Sequence, residues 1–151
     1  MAAGDIKWFA QGLHDLGNKI HDLDTDDWRL GLVTSVTTPV VNTVAPHYGG
    51  TGTTNFATNA VATGTAWTGP ATLTGEAWTL GATGATMDFA DVVVAQDASG
   101  FTNARWGIIY NNTDANKRAI GYIDLGSDRS IVSGSLTIQL NASGVLALAQ
   151  A

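Results

Sequence analysis

The chain has 151 residues, of which 44% are apolar and only 13% charged, and its formal net charge at pH 7 is −6. This length predicts a single domain, residues 1–151, with enough apolar material for a hydrophobic core. The acidic balance disfavours nucleic acid as a partner, and the lack of cysteine excludes disulfide bonds and thiolate zinc sites.

The N-terminal segment 5–23 has the hydrophobic spacing of one helix face. Its apolar residues recur at steps of mostly three and four, which predicts an amphipathic α-helix with Asp5 as N-cap or first-turn acid. Gly12 and Gly17 would each weaken the interior of such a helix by about 0.5–1 kcal/mol relative to alanine. The apolar positions are Ile6, Trp8, Phe9, Leu13, Leu16, Ile20 and Leu23.

Four of these residues form a stripe that is too apolar to face water. Burying each large side chain would contribute about 1.5–3 kcal/mol, so we expect either the protein's own sheet or a neighbouring subunit to cover the stripe. The interface candidates of this segment are therefore Trp8, Phe9, Leu13 and Leu16.

The remaining chain, 27–149, has the patterns of a β-protein. Trp28 to Val33 alternate as a strand does, and residues 36–86 are rich in glycine and threonine, which predicts short strands between long surface loops. Five strand-length runs follow, bounded by turn residues. We therefore predict a mainly β fold, an antiparallel β-sandwich of jelly-roll or Ig-like type, preceded by one helix. The runs are 87–96, 104–111, 118–126, 134–141 and 144–150.

Two turns of this region carry specific expectations. Residues 111–118 connect two well-patterned strands, and we expect this turn to face solvent while one face of each strand packs on the core. The sequence Asn-Ala-Ser-Gly at 141–144 predicts a compact hairpin between the last two strands.

The three histidines do not predict a catalytic or metal site. His14 and His21 are seven residues apart, about 10 Å along a helix, which is too far for both imidazoles to bind one ion. We interpret them as polar residues on a solvated or interfacial face. Glycine-rich 47–54 lacks the lysine of a phosphate loop and is interpreted as a flexible loop.

The acidic stretch at 22–27 lacks the ligand set of a calcium loop. Asp27 stands where that loop needs glycine, and Val33 where it needs a bidentate glutamate. Glu76 is the only glutamate, so no carboxylate pair stands out. We predict no metal, no cofactor, no catalytic residue and no enzymatic activity.

Two tryptophans lie in the glycine- and threonine-rich region, where short strands would bury them poorly. Exposed tryptophan on a β-scaffold can stack on sugar rings, and tryptophan is also enriched in subunit interfaces. We favour the interface for Trp67 and Trp78 and keep carbohydrate binding as the alternative.

Neither an export signal nor a membrane span is predicted. The charged residues Asp5 and Lys7 lie in the N-terminal stretch, where an export signal would have an unbroken apolar run. No window of the sequence approaches the ~20 consecutive apolar residues of a membrane-spanning helix. We expect a protein made in a cytoplasm, with no membrane partner.

A family resemblance is carried by five segments of the chain, 7–35, 72–80, 89–113, 118–126 and 133–148. These segments resemble small virion structural proteins of tailed bacteriophages. The resemblance implies a virion component of the head decoration or cement type, made in the bacterial cytoplasm, with tail or adsorption-apparatus components as the alternative. It implies the major capsid protein or another virion protein as partner, and self-association, for which a trimer is favoured over a dimer.

Overall fold

The computed structural model of the chain describes residues 6–141 and 144–149, and this part is mainly β. It contains one α-helix, α1 (Ala10–Gly17), and a 3-10 helix (Phe56–Asn59). The strands are β1 (Ile6–Trp8), β2 (Trp28–Val33), β3 (Pro46–His47), β4 (Thr54–Asn55), β5 (Ala71–Thr72), β6 (Ala77–Leu80), β7 (Gly84–Asp88), β8 (Val92–Val94), β9 (Ala104–Asn111), β10 (Ala119–Arg129), β11 (Leu136–Ile138) and β12 (Leu146–Ala149).

The largest sheet has five strands in the order β1-β10-β9-β2-β5, and all its neighbours are antiparallel. We call it the central sheet. Two smaller antiparallel sheets have the orders β12-β7-β6 and β11-β8, and β3 and β4 form a short parallel pair. The predicted strands at 28–33 and 104–111 are confirmed, and their runs of apolar residues suit the neighbouring interior positions that β2 and β9 hold in this sheet.

Both faces of the central sheet are covered, whereas the sequence predicted only that one face of each strand would pack on the core. Leu30 and Ile109 pack on one side with Met87 from β7, in a cluster that also contains residues of β8, β11 and β12. Ile108 packs on the other side with Phe9, in a second cluster. The N-terminal segment and the loop around the 3-10 helix supply this second cover.

Tyr48 packs against the central sheet because β2 has no side chain at Gly31. A Cβ at Gly31 would lie 2.2 Å from the Tyr48 ring, so any other residue would displace it. The ring instead stacks on Tyr110 with a centroid separation of 4.9 Å. Burial, together with the nearby Tyr110, raises the pKa of Tyr48 to about 12.

The predicted helix at 5–23 is shorter than expected, and the sheet begins before residue 27. Ile6–Trp8 is extended because it pairs with β10, with Ile6 opposite Ile123, and α1 then occupies only Ala10–Gly17. A long-range strand pairing has overridden the local helical spacing. The expected N-cap, Asp5, lies outside the described residues.

The inward face of α1 is also different from the predicted one. Gly12 and Asp15 are its buried residues, while Leu13 is 44% exposed. A Cβ at Gly12 would lie 2.6 Å from the carbonyl oxygen of Ile120, so glycine lets the helix backbone approach β10 directly. The apolar stripe therefore does not define how the helix packs.

The last two strands do not form the predicted hairpin. β11 pairs with β8, and β12 pairs with β7, so the connection at 141–144 links two different sheets. Residues 142–143 lie outside the described ranges. None of the helices in the described part of the chain combines the length and apolar character needed to cross a membrane.

Candidate functional site

The turn between β9 and β10 is held from inside by the fully buried side chain of Asn111. Its Oδ1 accepts hydrogen bonds from the backbone N–H groups of Thr113 (2.9 Å) and Asp114 (3.0 Å). Its Nδ2 donates to the Asp26 carboxylate and lies 3.1 Å from Nδ1 of His21. The turn was expected to face solvent, but its first residue is the centre of a buried polar cluster.

Two other segments bind the same turn through backbone hydrogen bonds. Asn112 N–H donates to the Asp27 carbonyl at 2.7 Å, and Tyr48 N–H donates to the Lys117 carbonyl at 3.0 Å. The glycine-rich stretch 47–54, interpreted as a flexible loop, is therefore attached to the turn. Backbone hydrogen bonds thus hold three segments that are far apart in sequence next to one another at this turn.

Asp15 connects α1 to this cluster. The carboxylate is buried, accepts a hydrogen bond from Gln11 at 2.8 Å and lies 3.9 Å from Nε of Arg118. Arg118 is also 3.8 Å from the Asp114 carboxylate. Because a buried ion pair of this length gains little net stability, we interpret it as fixing the position of the helix on the turn.

His21 is buried beyond the end of α1, not on the solvated or interfacial face that was predicted for it. Its ring centroid lies 5.4 Å from that of Trp28. Burial lowers the pKa of His21, and the nearby carboxylates of Asp15, Asp114 and Asp26 only partly oppose this effect. The neutral imidazole is therefore the form that fits the folded protein.

The lowered pKa of His21 predicts a loss of stability in mild acid. The unfolded chain binds a proton near pH 6.5, before the folded protein does, so the stabilisation is complete above this pH. It is lost as the pH falls toward the folded pKa. Urea denaturation at a series of pH values should show this decline. His21→Gln should flatten it, whereas the control His14→Gln, at an exposed histidine, should leave it unchanged.

Among residues 6–141 and 144–149, no group of three or more histidine, aspartate or glutamate side chains is arranged to hold a metal ion.

The acidic stretch at 22–27 forms a turn in which aspartate side chains accept hydrogen bonds from backbone N–H groups of the same turn. Asp22 Oδ1 accepts the Asp24 N–H at 3.0 Å, and this hydrogen bond is the main cause of the lowered pKa of Asp22.

An ordered loop after β2 exposes four valines within nine residues, which we call the valine loop (residues 36–44). Its backbone is anchored, because the Val41 carbonyl accepts from Ala10 N–H at 2.8 Å and the Val44 carbonyl accepts from the Thr54 hydroxyl at 3.0 Å. Four exposed apolar side chains this close in sequence make the loop a candidate interaction surface. The exposed fractions are 76% for Val36, 47% for Val40, 52% for Val41 and 64% for Val44.

A second surface feature is an open groove of about 410 Å³ between the end of α1 and the three-stranded sheet. We call it the Trp78 groove. Its lining is apolar along the helix and the sheet and charged along the acidic turn. The lining residues are Leu16, Lys19, His21, Asp22, Leu23, Asp24, Trp78 and Leu148.

Of the six predicted interface residues, two are buried, three are half-buried and one is exposed. Phe9 and Trp67 are buried in the chain's own clusters, so their side chains are not accessible on its surface. Trp8 is half-buried and donates a hydrogen bond to the Val145 carbonyl. Leu13 is exposed on α1, and the structure brings the half-buried Leu16 and Trp78 together in the groove.

The valine loop was not predicted as an interaction surface from the sequence. The signal was present, since four valines occur between residues 36 and 44 in a segment with no strand alternation. Pro39 and Pro46 lack the backbone N–H that strand pairing needs. An apolar segment that cannot join a sheet is a candidate for contact with another molecule.

The chain matches no protein-family model, no curated protein and no solved structure.

Proposed function

We propose that this chain is a virion structural protein, a decoration or cement subunit on the outer surface of a tailed-phage head, with the major capsid protein as its partner. The observation that supports this proposal best is the valine loop. Its four exposed valines stand on a backbone that is already ordered, so docking would bury apolar area without first having to order the loop.

The arrangement of the sheets supports a rigid docking body. We infer that they form a β-sandwich of jelly-roll or Ig-like type, with the central sheet as one layer. The support is a single hydrophobic cluster that includes Leu30 of the central sheet together with Met87, Val94 and Ile138 from the smaller sheets. A layered body with a continuous core suits a subunit that must keep its shape on a particle.

We further propose that the subunit acts as a homotrimer rather than a dimer. Exposed apolar side chains outside the valine loop, such as Leu13 on α1 and Leu80 at the end of β6, are available for contacts between copies. Phe9 and Trp67 are not part of this proposed contact, because the chain's own core covers them.

Docking on undecorated phage heads tests the proposal. Val36, Val40, Val41 and Val44 would be replaced together by threonine, which keeps the shape but adds hydroxyl groups. We expect the wild type to bind and the variant to bind at least tenfold more weakly, because the apolar area would no longer favour burial. Co-sedimentation would give the affinity, and electron microscopy the position on the particle.

The matched control is Val93→Thr, because Val93 is 65% exposed on β8, outside the valine loop. It should bind as the wild type does. If the variant with four substitutions bound as tightly as the wild type, the valine loop would not be the docking surface. Binding of the wild type to phage tails and not to heads would instead indicate a tail component. Light scattering of the free protein tests the trimer, and a mass of 15.6 kDa would contradict it.

A further inference from the structure

The Trp78 groove has the chemistry of a sugar-binding site, and we propose that it binds a neutral saccharide. This inference goes beyond head decoration, because it concerns a different surface and a small-molecule ligand. At about 410 Å³ the groove lies within the ~300–1,000 Å³ range of small-molecule sites and can hold one or two sugar rings.

The wall of the groove offers an aromatic platform. Trp78 is half-buried on β6, and Leu16 and Leu148 line the same space from α1 and β12. A pyranose ring has an apolar C–H face and a polar rim, and an indole face with adjacent aliphatic groups complements the apolar face. The part of Trp78 that the core leaves uncovered is therefore the surface for stacking.

The acidic turn supplies the polar rim. Asp22 and Asp24 line this side of the groove, and their carboxylates can accept hydrogen bonds from sugar hydroxyl groups. Lys19 lines the groove beside the two aspartates and can donate. Because two aspartates and a lysine line the same groove, neither a strongly anionic nor a strongly cationic ligand is favoured. A neutral polyhydroxylated ligand uses both kinds of group.

The test is an NMR titration of the isolated protein with three soluble probes: cello-, chito- and galacto-oligosaccharides. Five tryptophans give five indole N–H signals, and Trp78→Phe identifies the signal of Trp78. We expect at least one probe to shift this signal. Trp78→Ala should weaken the binding of that probe about tenfold or more, as loss of a central aromatic contact does.

Two further variants distinguish a loss of ligand binding in the groove from a general disturbance of the fold. Thr79→Ala changes an exposed residue of the same strand outside the groove and should leave the affinity unchanged. Asp24→Asn keeps the shape of an exposed rim residue and should weaken binding. The proposal is overturned if no probe shifts the Trp78 signal, or if Trp78→Ala and Asp24→Asn both bind as the wild type does. Shifts that depend on protein concentration alone would instead show a second copy of the chain in the groove.

Discussion

Gly12→Ala should destabilise the protein by about 1–3 kcal/mol, the range typical of overpacked sites. In an exposed helix the same change would stabilise by about 1 kcal/mol, because alanine has the higher helix propensity. Here the new Cβ would lie 2.6 Å from the Ile120 carbonyl oxygen and 2.8 Å from its Cα. These are backbone atoms of β10, so the helix must move as a unit. Thermal unfolding should show the midpoint falling by about 2–4 °C per kcal/mol.

Gly17→Ala is the matched control, because it makes the same chemical change at the end of the same helix. No atom lies within 4 Å of the added Cβ, and Gly17 is exposed. We expect unchanged stability or a gain of up to about 1 kcal/mol. Effects of the same sign in both variants would contradict the close approach of α1 to β10.

Asn111→Ala should destabilise the protein by about 2–4 kcal/mol. The change removes the acceptor of the Thr113 and Asp114 N–H groups and the donor to the Asp26 carboxylate. Leaving buried or partly buried polar groups without partners costs about 1–3 kcal/mol each, and water can restore only those at the surface. Urea denaturation monitored by tryptophan fluorescence would measure the loss.

Asn112→Ala provides the comparison at the adjacent position. Asn112 is half-buried, and its side chain donates a hydrogen bond to the Asp27 carboxylate at 2.6 Å. We expect a loss of about 1 kcal/mol or less, because water can reach the carboxylate. If both variants lost the same amount, the buried cluster around Asn111 would not be what holds the turn.

The buried polar cluster could not be predicted from sequence because its members come from separate segments. His21 and Asn111 are 90 residues apart, and Asp15 meets Arg118 only because α1 lies against β10. Aspartate is mostly exposed in folded proteins, and histidine is buried less often than apolar residues are. The sequence therefore favours a solvated face for both. Only the tertiary contacts place these side chains inside.

The burial of Trp67 and Trp78 also depends on tertiary contacts that the sequence does not show. Trp67 was expected at the surface because its own segment could not bury it, yet Phe101 and the core cluster cover it from elsewhere in the chain. Trp78 packs against the same cluster but remains half-buried, and it lines the groove. Local composition could not distinguish these two cases.

The sequence by itself determined the mainly β class and the strands at 28–33 and 104–111, because alternation and apolar runs reflect local geometry with a period of two residues. It did not determine the extended conformation of Ile6–Trp8, which depends on pairing with β10. Nor did it determine which face of α1 is buried, since the approach at Gly12 requires a partner backbone more than 100 residues away. Local patterns fix what a segment can form, and long-range contacts decide which partner covers it.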